Sequence, residues 1–427
     1  MSRSSVPLLG HAPRRARIAA ALLPAMLLLG ACAGTAPREP TPAPVVLISL
    51  DGLRVADLDR GLTPHLDRLV REGVRADWMT PSYPSLTFPS HYTLVTGLRP
   101  DRHGIVHNTM RDPALGTFRL GSAEATQDGR WWSGEPIWVT AERAGLPTAA
   151  MFWPGSEAAI DGVRPRRWSA YDEKFPASER VDRVLGWLAE DATTRPRFTT
   201  LYFEQPDKVS HDRGPNADET ADALREVDAM IGRLMQGLAA RGQLDRVNLI
   251  VTSDHGMAPV APTRHVLIED MVPASDAESI TSGQVVGFQP LPGRTAAAEA
   301  KLLGRHTHYE CWRKQELPAR WQYGTHPRIP AIVCQMDEGW DAIWRSNESR
   351  RLAGGMRGSH GFDPHLPSMR AVFLARGPAF RRGVRIPAID NVDVYPLLAE
   401  LVGVPAAPHD GNPEALRPAR ADPRGAR

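Results

Sequence analysis

The strongest constraint on the fold is a set of short, mainly apolar runs that lack polar alternation. They are Val45-Val46-Leu47-Ile48-Ser49-Leu50, Ala149-Ala150-Met151-Phe152-Trp153, Phe198 to Phe203, Val247 to Val251 and Ala371-Val372-Phe373-Leu374. A strand with one wet face alternates apolar and polar residues, whereas a strand buried on both faces does not. Helical patterns lie between the runs. One starts at Thr63-Pro64, a cap followed by a first-turn proline, and stops at Gly73. Another covers about Asp218 to Gly242, with Ala223, Leu224, Val227, Met230, Ile231 and Leu234 at helical spacing. Strands alternating with long helices predict an α/β fold, a mainly parallel central sheet with helices on both faces. One domain is expected over residues 45–405. Residues from about 259 to 357 lose this rhythm and hold Cys311, Cys334 and many Trp and Pro, so they read as an inserted cap or lid. The stretch 406–427, rich in Pro, Ala and Arg, is expected to be a disordered tail.

Upstream of the first run lies a leader. Arg14, Arg15 and Arg17 precede an apolar run, Ile18 to Gly30, that is too short to span a bilayer comfortably. It ends Leu29-Gly30-Ala31-Cys32, which resembles a bacterial lipobox, with residues 1–31 as signal peptide and Cys32 as the lipidated residue. Ordinary signal cleavage is the alternative. Residues 32–44 read as a tether. Either route exports the chain, to the periplasm or, with Ala33 after the cysteine, to the outer membrane. The leader also distorts the charge balance. The whole chain has a formal net charge of +2, but its first 31 residues hold four arginines and no acid, leaving 47 Lys and Arg against 49 Asp and Glu. No basic face is demanded, and a stable nucleic-acid partner loses its simplest support. With Cys32 set aside, Cys311 and Cys334 remain, and in an exported chain the simplest arrangement is one disulfide, with two separate buried thiols as the alternative.

Polar residues gather where the strands end, which is where open α/β sheets bind ligands. Asp51 ends the first run; Asp207 and His211, four apart, follow the third; Asp254 and His255 follow the fourth; His360 precedes the last. Three Asp and three His suit zinc, whose ligands include carboxylate oxygen and imidazole nitrogen. Six ligands exceed one tetrahedral ion and fit two, the arrangement that clamps the attacking and leaving oxygens of a phosphoryl transfer. Thr87, two residues before Pro89 at the start of a helix running to about Thr96, supplies a hydroxyl nucleophile. It meets free N–H groups and the positive end of the helix dipole, and zinc would lower its pKa further. The alternative is that Thr87 only caps the helix.

Asp51-Gly52, Thr87-Phe88-Pro89-Ser90-His91, Thr96-Gly97-Leu98-Arg99-Pro100, His103-Gly104-Ile105, Asn108, Phe152-Trp153-Pro154-Gly155-Ser156, Asp207 with His211, Ser253-Asp254-His255-Gly256-Met257 and His360-Gly361 occur in this order. Together they resemble the nucleotide pyrophosphatase/phosphodiesterases of the alkaline phosphatase superfamily, most closely the short bacterial members with the phosphodiesterase domain alone. The resemblance implies an alkaline-phosphatase-like fold and two Zn2+. It places Asp207, His211 and His360 on one ion, and Asp51, Asp254, His255 and the nucleophile Thr87 on the other. It makes Asn108 the phosphate-binding amide, and Phe88 and Tyr202 an aromatic slot for a nucleobase, with Tyr171 a further candidate in the pocket. Nucleotide diesters or nucleoside triphosphates would be the substrates, released as nucleoside 5′-monophosphates through a covalent threonine intermediate. Ser90 departs from the Asn of many animal members. The competing readings are a phosphomonoesterase, a lipid-headgroup phosphodiesterase and a non-catalytic surface-anchored binding protein. A sulfatase is disfavoured, because the Thr87 region lacks the Cys-x-Pro-x-Arg pattern.

Overall fold

A computed structural model of the chain describes residues 42–421. The expected signal peptide 1–31, Cys32, most of the tether and residues 422–427 lie outside the described residues. A seven-stranded sheet forms the centre, in the order Val384–Ile386, Val74–Ala76, Phe373–Arg376, Asn248–Thr252, Val45–Leu50, Phe198–Phe203, Thr148–Met151. Val45–Leu50 pairs in parallel with both neighbours, and Thr148–Met151 adds in parallel at the edge. Phe373–Arg376 alone runs antiparallel to the strands on either side of it.

The lack of alternation in Val45–Leu50 has its expected cause. Successive side chains point to opposite faces. Val45 and Leu47 enter a core with Leu94, Val95, Trp138 and Leu398, whereas Val46, Ile48 and Leu50 enter another with Leu66, Val184, Leu224 and Ile231. Helices Thr87–Thr96, Ile137–Arg143 and Val394–Val402 therefore cover one face, and Pro64–Glu72, Ala177–Leu188 and Asp218–Ala240 the other. Each apolar side chain buried in this way contributes roughly 1.5–3 kcal/mol, so both faces select against polar residues.

Two expectations change. Residues 406–421 are not a loose tail: Leu416 and Ala419 are buried, and the Asp410 carboxylate accepts a hydrogen bond of 2.9 Å from the Arg99 backbone N–H. Two small anchoring contacts outweigh a composition typical of linkers. The 259–357 segment is also not a roof over the strand ends. It builds a five-stranded, largely antiparallel sheet, Ala277–Ser279, Val285–Pro290, Ile332–Met336, Tyr309–Arg313 and Gly304–Arg305, around its own core of Val286, Phe288 and Ile332. None of its residues lines the cavity described below. It instead buttresses the outside of the Thr109–Asp112/Gly116–Arg119 hairpin. The buried Arg328 guanidinium donates to Asp112 Oδ2 (2.8 Å) and to the carbonyls of Gly104 (2.9 Å) and Trp131 (2.6 Å).

Cys311 and Cys334 face each other across adjacent strands of this second sheet and form a disulfide. They are 23 positions apart, and closing a loop of that size is worth about 3 kcal/mol in the chain-entropy account. The Cys311→Ser/Cys334→Ser double variant is therefore expected to unfold at lower urea concentration, a loss of about 3 kcal/mol, with a slope that is no smaller, since the unfolded chain without the cross-link exposes more surface. Wild-type protein denatured without reductant should show neither thiol.

Candidate active site

Five of the six candidate ligands lie just beyond the ends of parallel strands. Asp51 follows Val45–Leu50, Asp254 and His255 follow Asn248–Thr252, and Asp207 opens the helix Asp207–Arg213 soon after Phe198–Phe203, with His211 one turn along it. His360 reaches the same edge by a different route. It directly follows the short strand Arg357–Ser359, which pairs antiparallel with Ala258–Val260 just after His255. Gly52 makes the convergence sterically feasible. It has φ +67°, and a Cβ there would come within 2.9 Å of Asp207 Cβ. Its N–H donates to Asp254 Oδ1 at 3.2 Å.

The ligands form two groups, Asp207/His211/His360 and Asp51/Asp254/His255, with the ligand atoms of each within 4.8 Å of one another. Each imidazole is oriented by a backbone carbonyl at Nδ1: Gly358 for His211 (3.0 Å), Ser85 for His360 (3.0 Å) and Gly256 for His255 (2.9 Å). A neutral ring with Nδ1–H donated in this way turns the lone pair of Nε2 into the cluster, the arrangement of metal-binding histidines. The Nε2 atoms of His211 and His360 lie 3.1 Å apart, and the rings of His255 and His360 stack at 3.5 Å.

The carboxylates carry the test of whether a cation fits. Asp51 Oδ1 and Asp207 Oδ1 are buried without a hydrogen-bond partner, and Asp254 Oδ2 has only imidazole nitrogens beside it, His255 Nε2 at 2.9 Å and His91 Nδ1 at 3.3 Å. Buried acceptors are normally satisfied, and buried charge is normally paired. Burial, with Asp254 and Asp207 alongside, pushes Asp51 well above the usual carboxylate range, and burial raises Asp207 too. Burial acts in the same direction on Asp254, but His255 and His91 outweigh it and hold Asp254 well below. Burial together with His255 and His211 keeps His360 far below the usual imidazole value. Burial lowers His255 as well, but the Asp254 carboxylate outweighs it and raises that imidazole, so in the metal-free cluster protons stand beside the buried carboxylates where a divalent cation with oxygen and nitrogen ligands would fit.

Thr87 is the first residue of helix Thr87–Thr96, and its cap position is Leu86, which makes no side-chain capping bond. The threonine hydroxyl is directed elsewhere, with Oγ1 3.3 Å from His255 Nε2. Its position depends on a residue to which the sequence assigned no role. His91, fully buried one turn along, has Nδ1 2.8 Å from the Thr87 carbonyl and Nε2 2.8 Å from Ser49 Oγ, tying the first helical turn to the central strand. The i, i+4 spacing of Thr87 and His91 was the available signal.

These groups open onto a cavity of about 700 Å³ that Thr87, Phe88, Asn108, Tyr171, Tyr202, Asp207, His211 and His360 help to line. Asn108 Oδ1 accepts the Phe88 backbone N–H at 3.0 Å, which leaves its amide N–H groups to donate. Tyr202 carries a second connection, since its hydroxyl donates to Asp51 Oδ2 at 2.7 Å, and its ring meets Tyr171 edge-on at 5.9 Å. Phe88 packs on Phe118 and Trp132. The walls that the sequence left unassigned come from Leu120 to Gln127 and from Trp153 to Glu157. Cys32 lies outside the described residues, and Cys311 and Cys334 are not part of this lining.

The raised values at Asp51 and Asp207 have a consequence for stability. The metal-free folded chain keeps protons that the unfolded chain loses above about pH 4, so this contribution is full in acid and fades as pH climbs through the raised values. Asp254 acts in the opposite sense, but below that window. A bound cation would replace those protons. Chelator-stripped protein is therefore expected to fall further below metal-loaded protein in Tm at about pH 7.5 than at about pH 5, as read by calorimetry. A gap independent of pH would count against a cation in the cluster.

Comparison with known proteins agrees with this geometry. The family model described as type I phosphodiesterase / nucleotide pyrophosphatase matches residues 45–363. An uncharacterized pyrophosphatase/phosphodiesterase of Schizosaccharomyces pombe is 35% identical, over 88% of this chain and 80% of its own length. Ectonucleotide pyrophosphatase/phosphodiesterase family member 1 of Mus musculus is 34% identical over 89% of this chain, which spans only 43% of that protein. Among solved structures, an inactive variant of murine ectonucleotide pyrophosphatase/phosphodiesterase 5 in complex with AMP is similar at a TM-score of 0.84 and 32% identity, covering 89% of this chain and 100% of that one.

Proposed function

The chain belongs to the type I phosphodiesterase/nucleotide pyrophosphatase family and is an enzyme of it, and on that premise we propose that it cleaves nucleotide phosphodiester or pyrophosphate bonds to release nucleoside 5′-monophosphates, with Thr87 as the nucleophile. One observation carries the reading. The Thr87 hydroxyl lies at the His255 group, off the capping position, in the same cavity as the freed Asn108 amide. The relatives named above are eukaryotic; a short bacterial member remains part of the proposal.

The residues divide the work. Asp207, His211 and His360 would hold one zinc ion and Asp51, Asp254 and His255 another. Two such ions would supply positive charge to the attacking and leaving oxygens. Asn108 donates to a non-bridging phosphate oxygen. Phe88, Tyr171 and Tyr202 offer faces for a nucleobase, where stacking is worth about 1–3 kcal/mol and tolerates any base. Thr87 Oγ forms a bond to phosphorus, its proton passes to solvent, and the bond to the departing oxygen breaks with the electron pair on the departing group. Water then cleaves the threonine ester and returns a proton to Oγ. This covalent route splits one displacement into two. Among the described residues lining the cavity there is no arginine, and the one lysine, Lys208, is paired with Glu173; the neutral Asn108 amide suits a singly charged diester better than a monoester dianion. That favours the diesterase over the phosphomonoesterase reading.

Thr87→Ala is expected to lower kcat for a chromogenic nucleotide diester by roughly a thousandfold or more while elemental analysis still finds two zinc ions per chain. Phosphorothioate substrates of known chirality should react in the wild type with net retention. Inversion, or one ion in active protein, would overturn the scheme.

Export with lipid attachment at Cys32 completes the proposal, since Leu29-Gly30-Ala31-Cys32 resembles a lipobox. Cys32→Ser should shift the protein from the membrane to the soluble fraction; unchanged soluble recovery in both would leave an ordinary signal peptide.

A further inference from the structure

The charge around the cavity is one-sided. Among the described residues, and apart from histidines, the charged side chains lining it are the carboxylates Asp51, Asp207, Asp212, Glu157, Glu173 and Glu204, and a single cation, Lys208. Lys208 is the second residue of helix Asp207–Arg213, directly after Asp207 and in the turn that leads to His211. Its backbone is therefore fixed beside the ligand group that does not contain the Thr87 partner His255. In-line displacement puts the departing oxygen opposite the attacking one. If Thr87 attacks from the His255 side, the leaving group departs towards Asp207, and Lys208 is the cation waiting there.

The Lys208 ammonium is paired with Glu173. The other two glutamates are engaged elsewhere: Glu204 with Arg180 at 2.6 Å, Glu157 with Gln127 Nε2 at 3.0 Å and the Tyr171 N–H at 2.7 Å. The Lys208 and Glu173 side chains are 54% and 48% exposed. Ion pairs in that setting contribute little to stability, whereas a charge-assisted contact to a phosphate oxygen is among the stronger polar contacts. Lys208 can therefore exchange Glu173 for a multiply charged ligand at low cost.

We infer that Lys208 is a specificity-determining residue that lets the site accept a polyanionic leaving group, pyrophosphate from a nucleoside triphosphate, with Glu173 as its internal competitor. The inference rests on the hydrolase reading above. In the first displacement the bond from the α-phosphorus to the bridging oxygen breaks and pyrophosphate keeps the electron pair. Lys208 offsets part of the charge that this leaves on pyrophosphate. A nitrophenolate leaving group carries a single charge and needs that contact less.

The test uses the metal-loaded enzyme and two substrates, a nucleoside triphosphate and the p-nitrophenyl ester of the same nucleoside 5′-monophosphate. The readout is the ratio of their kcat/KM values. Lys208→Met should lower the triphosphate-to-aryl ratio roughly tenfold or more, and Lys208→Arg should recover most of it. Glu173→Gln should raise the ratio by up to about fivefold. Both side chains are half exposed, so neither change threatens folding. An unchanged ratio in Lys208→Met, or a lower ratio in Glu173→Gln, overturns the inference while leaving the hydrolase reading intact. A wild type inactive on both substrates overturns the hydrolase reading and this inference with it.

Discussion

Three buried carboxylates, Asp51, Asp207 and Asp254, meet at one edge of the sheet, and an oxygen of Asp51 and one of Asp207 have no hydrogen-bond partner. Bringing like charges together out of water is costly without a cation, so the chain has to hold them there by other means. Gly52 permits the approach by leaving the space that a Cβ would fill, its N–H donates to Asp254, and Tyr202 donates to Asp51. The surrounding imidazoles are fixed at Nδ1 by carbonyls from three separate segments. The site is thus assembled by backbone groups that the sheet has already placed.

The central sheet places three of these groups and a small two-stranded pair beside it places a fourth. Parallel strands deliver Asp51, Asp207 and Asp254 from their carboxyl ends, and the short strand Arg357–Ser359, paired antiparallel with Ala258–Val260, delivers His360. Across this edge, Thr87 is held by a different element, the helix that His91 ties to Ser49. Nucleophile and ligands therefore come from independent parts of the core, each braced by packing on both faces of Val45–Leu50. That rigidity suits electrostatic preorganisation, in which the charges and dipoles are in place before the reaction begins.

The cavity walls follow another logic. The disulfide-linked segment was expected above the site, but it braces the hairpin that follows Asn108, with Arg328 bonded to the Asp112 carboxylate and to the carbonyls of Gly104 and Trp131. A break in α/β rhythm marks an insertion, but rhythm carries no information on which side of the sheet the insertion packs.

Much of the site was legible in the sequence because chemistry is local to a residue and strand ends follow apolar runs. Asp51, Thr87, Asp207, His211, Asp254, His255 and His360 could each be located from a neighbouring run or helix start, and the order of motifs pointed to the family. Buried strands were legible for the same reason: a residue facing a core on either side must be apolar, and Val45–Leu50 and Phe198–Phe203 have the bounds the runs predict. Tertiary structure alone decided what depends on residues far apart in the chain. It set the antiparallel direction of Phe373–Arg376, the place of the insert, the packing of Leu416, the link from Tyr202 to Asp51 and the pairing of Lys208 with Glu173. Local pattern records how much of a side chain is buried; which partner buries or binds it is settled only when the chain closes on itself.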